Sequence, residues 1–259
     1  MTSPFIISER IGSVEIIRIN RPEKRNALSR EMLAALAEKF RSINEQTDLR
    51  AVILTGAGDA FCAGTDISEL PNLDNASARE VSERGQALCN QIENCIVPVI
   101  AAVNGVAAGG GCELALACHL RIAASNAQFS LPETKLGVTP AYGGTQRLPR
   151  EIGEGRAIEM MLTGKTMTAQ EALECGLVNS VVPRADLLAA AQSLAHEIAQ
   201  LAPLAIRACL QAVTRGTELP LAEGLALEAK LFAALFASED VREGTAAFLE
   251  KRPAAFKGK

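Results

Sequence analysis

In the first half of the chain, short apolar segments typical of strands alternate with segments that have the hydrophobic spacing of a helix. Short apolar runs rich in β-branched side chains predict strands at residues 14–19, 51–55 and 98–105. Helical spacing begins behind Ser29, a good N-cap residue, and is carried by Met32, Leu33, Leu36, Phe40 and Ile43. A second helix is predicted over residues 76–95. Strands that alternate with helices at short intervals predict an α/β fold with mostly parallel strand pairing.

A pattern of strand, glycine turn and helix start occurs twice in this half. It runs through residues 53–66 and again through residues 101–113, although the letters differ. In the second copy three consecutive glycines, beginning at Gly109, precede Glu113. Glycines allow a backbone to approach a ligand closely, and the first N–H groups of a helix have no partner within it. Such N–H groups can stabilise an oxyanion, so the second copy is a candidate for catalytic chemistry.

A second glutamate lies near the first in the sequence. Glu133 stands on a Leu-Pro corner after the alternating residues 128–131, and neither glutamate has the setting of a solvated helix face. Burial and a neighbouring carboxylate raise a carboxyl pKa, whereas a helix N-terminus at Glu113 lowers it. Two carboxylates whose pKa values are separated in this way suit one proton donor and one acceptor at neutral pH. The sequence therefore predicts an enzyme.

The second half of the chain becomes helical throughout. Thr168 and Glu171 form a capping box, and Gly176 is a plausible end for the short helix that follows it. From about residue 185 onward, helices are predicted over residues 185–200, 203–214, 221–236 and 239–251. Their alanine- and leucine-rich faces are more apolar than a lone surface helix needs. A buried core and an interface with a partner both remain open for this region.

Composition limits the class of protein. A chain of 259 residues fits one large domain or a domain with an appendage. The net charge of −4 gives no reason to expect binding to nucleic acid or to an anionic membrane. Seven scattered cysteines without zinc-site spacing indicate a reducing compartment and no metal site. The first residues, MTSPF, lack the features of a leader and no run is long enough to span a bilayer, so we expect a cytoplasmic protein.

Several other chemistries lack their sequence signals. Neither a P-loop nor the GxGxxG spacing of a dinucleotide-binding turn is present, so we expect neither ATP nor NAD. The chain has two histidines, His119 and His196, and no nucleophile elbow. A Ser-His-Asp hydrolase is therefore poorly supported.

Seven segments, in this order, resemble the enoyl-CoA hydratase/isomerase (crotonase) family. They are NRPEKRNAL (20–28), FCAGTDI (61–67), AAVNG (101–105), GGGCE (109–113), PE (132–133), GGTQRL (143–148) and ALECGLV (172–178). The resemblance covers essentially the whole chain and implies a crotonase-like spiral of repeated β-β-α units. It implies a catalytic, acyl-CoA-binding domain over residues 1–196 and a helical C-terminal oligomerisation region over residues 197–259. A homotrimer, or a homohexamer built as a dimer of trimers, is the implied assembly.

The resemblance also implies a site. Glu113 would serve as the base that activates or orients the attacking water, and Glu133 would exchange the proton at the carbon next to the thioester. The backbone N–H groups of Thr65 and Gly110 would form the oxyanion hole. The contacts to CoA and substrate would come from Lys24, Arg25, Ala27, Leu28, Ala63, Asp66, Ile67, Gly109 and Tyr142. No cofactor is implied, because coenzyme A is part of the substrate.

The presence of both glutamates predicts a 2-enoyl-CoA hydratase. Three alternatives remain open: a Δ3-Δ2 enoyl-CoA isomerase, in which the position of Glu113 is usually replaced; a specialised acyl-CoA hydratase or lyase; and a non-catalytic or RNA-binding member. The acidic balance of the chain argues against the last of these.

Four residues carry further expectations. Relatives often have Ala or Gly where Thr65 stands and Gly where Ala141 stands, so both positions are expected to influence acyl specificity. His119 replaces a frequent Asp, and we interpret it as a change in capping or packing. Arg147 is expected to have a structural role and to hold the loop behind Glu133.

Overall fold

The computed structural model describes residues 4–259, and its β-strands form two sheets. The main sheet contains β1 (Ile6–Ile11), β2 (Val14–Ile19), β3 (Ala51–Gly56), β5 (Val99–Val103), β7 (Leu120–Ala124) and β10 (Ser180–Val182), in that spatial order. The smaller sheet contains β4 (Ala60–Cys62), β6 (Val106–Ala108), β8 (Gln128–Ser130) and β9 (Met167–Thr168). All pairings are parallel except β1 with β2 and β8 with β9.

Helices connect and cover the strands. They are α1 (Arg30–Ile43), α2 (Asn75–Glu93), α3 (Gly110–Ala117), α4 (Gly144–Ile152), α5 (Glu154–Thr163), α6 (Ala169–Glu174), α7 (Leu187–Ala199), α8 (Pro203–Gly216), α9 (Leu221–Leu235) and α10 (Glu239–Glu250). The predicted caps are confirmed: the Ser29 side chain accepts a hydrogen bond from Met32 N, and Thr168 forms the capping box with Glu171.

The chain order repeats one unit. Two strands and a helix follow one another as β1-β2-α1, β3-β4-α2, β5-β6-α3 and β7-β8-α4. From the second unit on, the first strand of each unit joins the main sheet and the second joins the smaller sheet. The predicted α/β spiral of β-β-α units is therefore confirmed. Because equivalent turns stack on one another, the loops that follow equivalent strands meet at the same edge.

Both faces of the main sheet are buried at its central strands β2, β3, β5 and β7, which explains why these strands are nearly continuous apolar runs. Ile17 and Leu54 belong to a cluster that includes buried side chains of α1, α2 and α3. Ile16 and Ile53 point to the opposite face, where they pack with the apolar side of α7, including Ala191. Alternate residues of each strand thus serve two different cores.

The C-terminal helices match the four predicted runs closely. Residue 196 lies within α7, and the domain boundary proposed there stays a prediction. Helices α8 and α9 pack against each other, and neither contains a fully buried residue. No helix in residues 4–259 has both the length and the apolarity that crossing a bilayer requires.

Candidate active site

The third unit of the spiral places Glu113 in the interior. The chain leaves β6 at Gly109, whose φ of +50° lies in the left-handed region that favours glycine, and α3 begins at the next residue. Glu113 lies in the first turn of α3 and is only 2% exposed. A carboxylate this deep requires hydrogen-bond donors, since burying it unpaired would be costly.

Two backbone N–H groups from a later loop supply those donors. Glu113 Oε1 accepts hydrogen bonds from Tyr142 N at 2.8 Å and from Gly144 N at 2.7 Å. Burial raises the pKa of Glu113, while these two N–H groups and the nearby Arg147 guanidinium oppose the rise. The carboxylate is therefore fixed in orientation by the loop that leads into α4.

Glu133 comes from the fourth unit and opens a short 3₁₀ helix, Glu133–Leu136. A Cβ on Gly109 would lie 2.8 Å from Glu133 Oε1, so the carboxyl group lies directly over the glycine turn. Glu133 Oε2 is buried and has no hydrogen-bond partner among residues 4–259. A buried carboxyl oxygen without a partner is suited to bind a water molecule or a substrate atom.

The environment of Glu133 favours the protonated acid. Burial raises its pKa to about 7, its own backbone N–H lowers the pKa, and the charge on Glu113 raises it again. The two carboxyl groups therefore interact electrostatically, as predicted for an acid/base pair. Glu113 accepts hydrogen bonds from backbone donors, whereas Glu133 has an oxygen without a partner in the described part of the chain. The two carboxyl groups can therefore have different chemical roles.

The predicted oxyanion donors lie beside this pair. Among residues 4–259, no group accepts a hydrogen bond from the backbone N–H of Thr65 or of Gly110. Gly64 has a φ of +101°, and a Cβ there would lie 2.7 Å from the Ala108 carbonyl oxygen and 3.4 Å from Gly110 N. Only glycine at this position lets the second and third units approach so closely. Among the residues that the structure describes, both N–H groups are therefore free to donate to a bound group, as an oxyanion hole would require.

The segments predicted to bind CoA form one short ladder at the same place. Ala63 N donates to the Arg25 carbonyl oxygen at 3.0 Å, Leu28 N donates to Gly64 O at 2.7 Å, and Asp66 N donates to Leu28 O at 2.9 Å. Asn26, which is fully buried, donates to the Ala57 and Ala60 carbonyl oxygens and secures this ladder against the second unit. The segments 24–28 and 63–67 are thus brought together as predicted.

The side chains of these two segments differ in their exposure to solvent. Lys24, Arg25 and Ile67 are exposed at the surface, whereas Leu28 is buried close to Gly110. The Ser68 hydroxyl and the Arg21 guanidinium, whose Nη1 lies 2.6 Å from Asp66, hold the pKa of Asp66 at about 2. The carboxylate of Asp66 is therefore occupied within the protein, and its contact with CoA remains a prediction.

Arg147 supports the site from a place the sequence did not indicate. It has a structural role, and its charge also opposes the rise in the pKa of Glu113. Its guanidinium donates to Glu93 at 2.8 Å and 3.1 Å, to Asn90 at 2.7 Å, and to the Tyr142 carbonyl oxygen at 3.2 Å. The guanidinium therefore ties α2 to the loop at Tyr142, which follows Glu133 in the chain, in keeping with the expected structural role.

Ala141 and His119, which depart from the family pattern, both lie in contacts with α2. The Ala141 carbonyl oxygen accepts hydrogen bonds from Ser82 and Gln86 of α2, which fixes the loop before Tyr142. His119 Nδ1 accepts from Val99 N at 2.9 Å, and its other ring nitrogen lies 3.0 Å from the Glu93 carbonyl oxygen. His119 therefore joins α2 to β5, as expected of a packing residue.

Sequence reasoning missed two contributors to the site. Gly144 contributes a backbone N–H that donates to Glu113. Gly64 contributes a backbone conformation and a close approach that a side chain would prevent. Their signal was present in the GGTQRL and FCAGTDI segments, but a motif does not state which of its atoms is used.

Comparisons with known proteins identify the family. Residues 9–259 match the family model described as enoyl-CoA hydratase/isomerase. The chain is 42% identical over 248 residues to the short-chain-enoyl-CoA hydratase of Clostridium acetobutylicum, covering 95% of each chain. It is 43% identical over 252 residues to the crotonyl-CoA hydratase of Syntrophomonas wolfei, covering 97% of each. The crystal structure of an enoyl-CoA hydratase from Bacillus anthracis superimposes with a TM-score of 0.95 at 41% identity, covering 98% of this chain and all of that one.

Proposed function

Since this chain belongs to the enoyl-CoA hydratase/isomerase family, we propose that it is a 2-enoyl-CoA hydratase, which adds water across the trans-2 double bond to give a 3-hydroxyacyl-CoA. The single observation that supports it best is the pair of interior glutamates with unlike partners. Glu113 accepts two backbone N–H bonds, and Glu133 presents a buried oxygen without a partner. A reaction that needs one proton acceptor and one proton donor uses such a pair.

The proposed reaction assigns one role to each group. The thioester oxygen accepts hydrogen bonds from the Thr65 and Gly110 N–H groups, which draws electrons from the double bond. The oxygen of a water held between the carboxyl groups bonds to Cβ, and its proton passes to Glu113. Cα takes the proton of Glu133, and the charge that developed on the thioester oxygen returns to the carbon chain. The pair carries one proton before and after the reaction, because Glu133 gives one to Cα and Glu113 takes one from water.

The substrate and assembly complete the proposal. We propose that the ladder of segments 24–28 and 63–67, with Gly109 and Tyr142, binds the CoA thioester, and that no other cofactor is required. The partner would be further copies of this chain, as a trimer or a dimer of trimers. In support, α8 to α10 present exposed apolar side chains, among them Phe232 and Phe248. A cytoplasmic location is supported by the seven cysteines, all of which are free.

Hydration of crotonyl-CoA by the purified protein tests the function directly. We expect the absorbance of the enoyl thioester to fall on addition of enzyme and 3-hydroxybutyryl-CoA to accumulate in equal amount. A trans-3-enoyl-CoA in the same assay separates a hydratase from an isomerase. A folded wild-type protein that hydrates neither crotonyl-CoA nor a longer straight-chain enoyl-CoA would overturn the proposal.

The pH dependence follows from the pKa of Glu133. Its carboxyl must carry the proton that Cα receives, and burial raises the pKa of that carboxyl to about 7. We therefore expect kcat/KM for hydration to fall about tenfold per pH unit above that value. Hydration neither consumes nor releases protons overall, so dehydration of 3-hydroxybutyryl-CoA should give the same kcat/KM profile. Initial rates in both directions check this, and a profile that stays flat through alkaline pH would contradict the role of Glu133.

A further inference from the structure

Tyr142 occupies an unusual position beside the proposed site. Its side chain is 2% exposed, and its ring is wedged between two glycines of different helices. A Cβ on Gly85 of α2 would lie 1.9 Å from Tyr142 Cδ1, and a Cβ on Gly110 would lie 2.9 Å from Cε2 at the opposite edge of the ring. Neither glycine could carry a side chain without displacing the ring. The slot is therefore shaped around this one aromatic residue.

The hydroxyl end of the ring is also held. Thr65 Oγ1 and the Tyr142 hydroxyl are hydrogen bonded at 3.0 Å. The backbone of Thr65 supplies one proposed oxyanion donor, and the backbone N–H of Tyr142 binds Glu113. The ring thus spans from the oxyanion side of the site to the carboxylate side. Burial raises the pKa of the Tyr142 hydroxyl to about 12, so the ring is neutral there throughout the physiological range.

This placement decides where an acyl chain can go. In the proposed reaction the thioester oxygen lies at the Thr65 and Gly110 N–H groups, and Cβ faces the water that Glu113 activates. The carbons beyond Cβ then meet the Tyr142 ring, which lies against Gly110. Resting on the proposed function, we infer that Tyr142, held in place by Thr65, closes the acyl pocket shortly after Cβ and restricts the enzyme to short straight-chain enoyl-CoA substrates.

A chain-length series of substrates tests the inference. Crotonyl-CoA is compared with trans-2-hexenoyl-, octenoyl- and decenoyl-CoA, and kcat/KM of the wild type is expected to fall at least about tenfold between crotonyl- and octenoyl-CoA. In Tyr142→Ala the ratio of octenoyl to crotonyl kcat/KM should rise at least about tenfold, because the space of the ring becomes free. Tyr142→Phe keeps the ring and should keep most of the preference for crotonyl-CoA.

The control is a buried aromatic residue away from the glycine turn. Phe40→Leu removes a fully buried ring from α1 and should leave the ratio unchanged, even if the protein becomes less stable. The inference is overturned if the wild type hydrates decenoyl-CoA as well as crotonyl-CoA. It is also overturned if Tyr142→Ala lowers kcat/KM for all chain lengths by the same factor.

A measurement on the unaltered protein decides the case where Tyr142→Ala does not fold. Tyr142 is the only tyrosine and the chain has no tryptophan, so the intrinsic emission of the protein reports on this ring. Butyryl-CoA should change that emission, whereas free CoA at the same concentration should not. Equal emission with both ligands would overturn the inference. If the wild type hydrates no enoyl-CoA, the proposed function fails, and the emission still reports whether an acyl group reaches Tyr142.

Discussion

Replacement of Glu133 by Gln is expected to lower kcat for crotonyl-CoA hydration about 10³-fold. The amide is close in shape to the carboxyl group but cannot give its proton to Cα. The matched control is Glu154→Gln, an exposed glutamate at the start of α5, which should hydrate crotonyl-CoA at the wild-type rate. A Glu133→Gln enzyme that keeps more than about a tenth of the wild-type kcat would contradict the assignment of the proton donor.

The thermal stability of the same variant shows whether it is folded. Burial raises the pKa of Glu133 from 4.5 to about 7, so the fold disfavours the ionised carboxylate. The contribution of this group to the free energy of unfolding is fully present below pH 4.5 and is lost as the pH rises through about 7. Glu133→Gln is neutral at every pH, so its Tm should exceed that of the wild type above pH 7. This advantage should disappear in acid.

Replacement of Glu113 by Gln is also expected to have a large effect on hydration. We expect kcat for hydration to fall about 10³-fold, because the amide cannot accept the proton of the attacking water. The amide oxygen can still accept hydrogen bonds from Tyr142 N and Gly144 N, so the variant should keep a Tm close to that of the wild type. Glu113→Ala, in contrast, leaves both N–H groups unpaired, at a cost of about 1–3 kcal/mol for each.

Comparison of the two glutamine variants also separates the reactions. An isomerase that shuttles its proton through Glu133 would retain activity on a trans-3-enoyl-CoA in Glu113→Gln and lose it in Glu133→Gln. A hydratase loses hydration in both. Hydration of crotonyl-CoA at the wild-type rate by folded Glu113→Gln would contradict the two-carboxylate reaction.

Much of the fold could be predicted because its main strands and helices are long enough to show a clear hydrophobic pattern. The strands at residues 14–19 and 51–55, and the helix behind Ser29, were predicted within about a residue of their observed ends. Strands β4, β6 and β9 of the smaller sheet were not predicted, because these segments of two or three residues are too short to display an alternation. Their pairing depends on how whole β-β-α units stack on one another, and a local sequence pattern carries no information on that stacking.

In the candidate site, too, some features could be predicted from the sequence and others could not. Glu113 and Glu133 could be singled out because each is a charged residue in an apolar or glycine-rich setting. The placement of Arg147 could not, because its partners Glu93 and Asn90 are distant in sequence and belong to α2. The wedge of Tyr142 between Gly85 and Gly110 was also hidden, since it depends on the space that two glycines of different helices leave free.

The stacking of β-β-α units has a consequence for the order of events during synthesis. Each unit contacts mainly its neighbours, so such a fold can grow from its N-terminal end as the chain emerges. The first unit contributes the 24–28 segment, the second Thr65, the third Gly110 and Glu113, and the fourth Glu133 and the loop anchored by Arg147. All groups of the proposed site have therefore left the ribosome before α7 exists to cover the back of the main sheet. A nascent chain paused after α4 would carry a complete set of catalytic groups on a sheet with one bare apolar face.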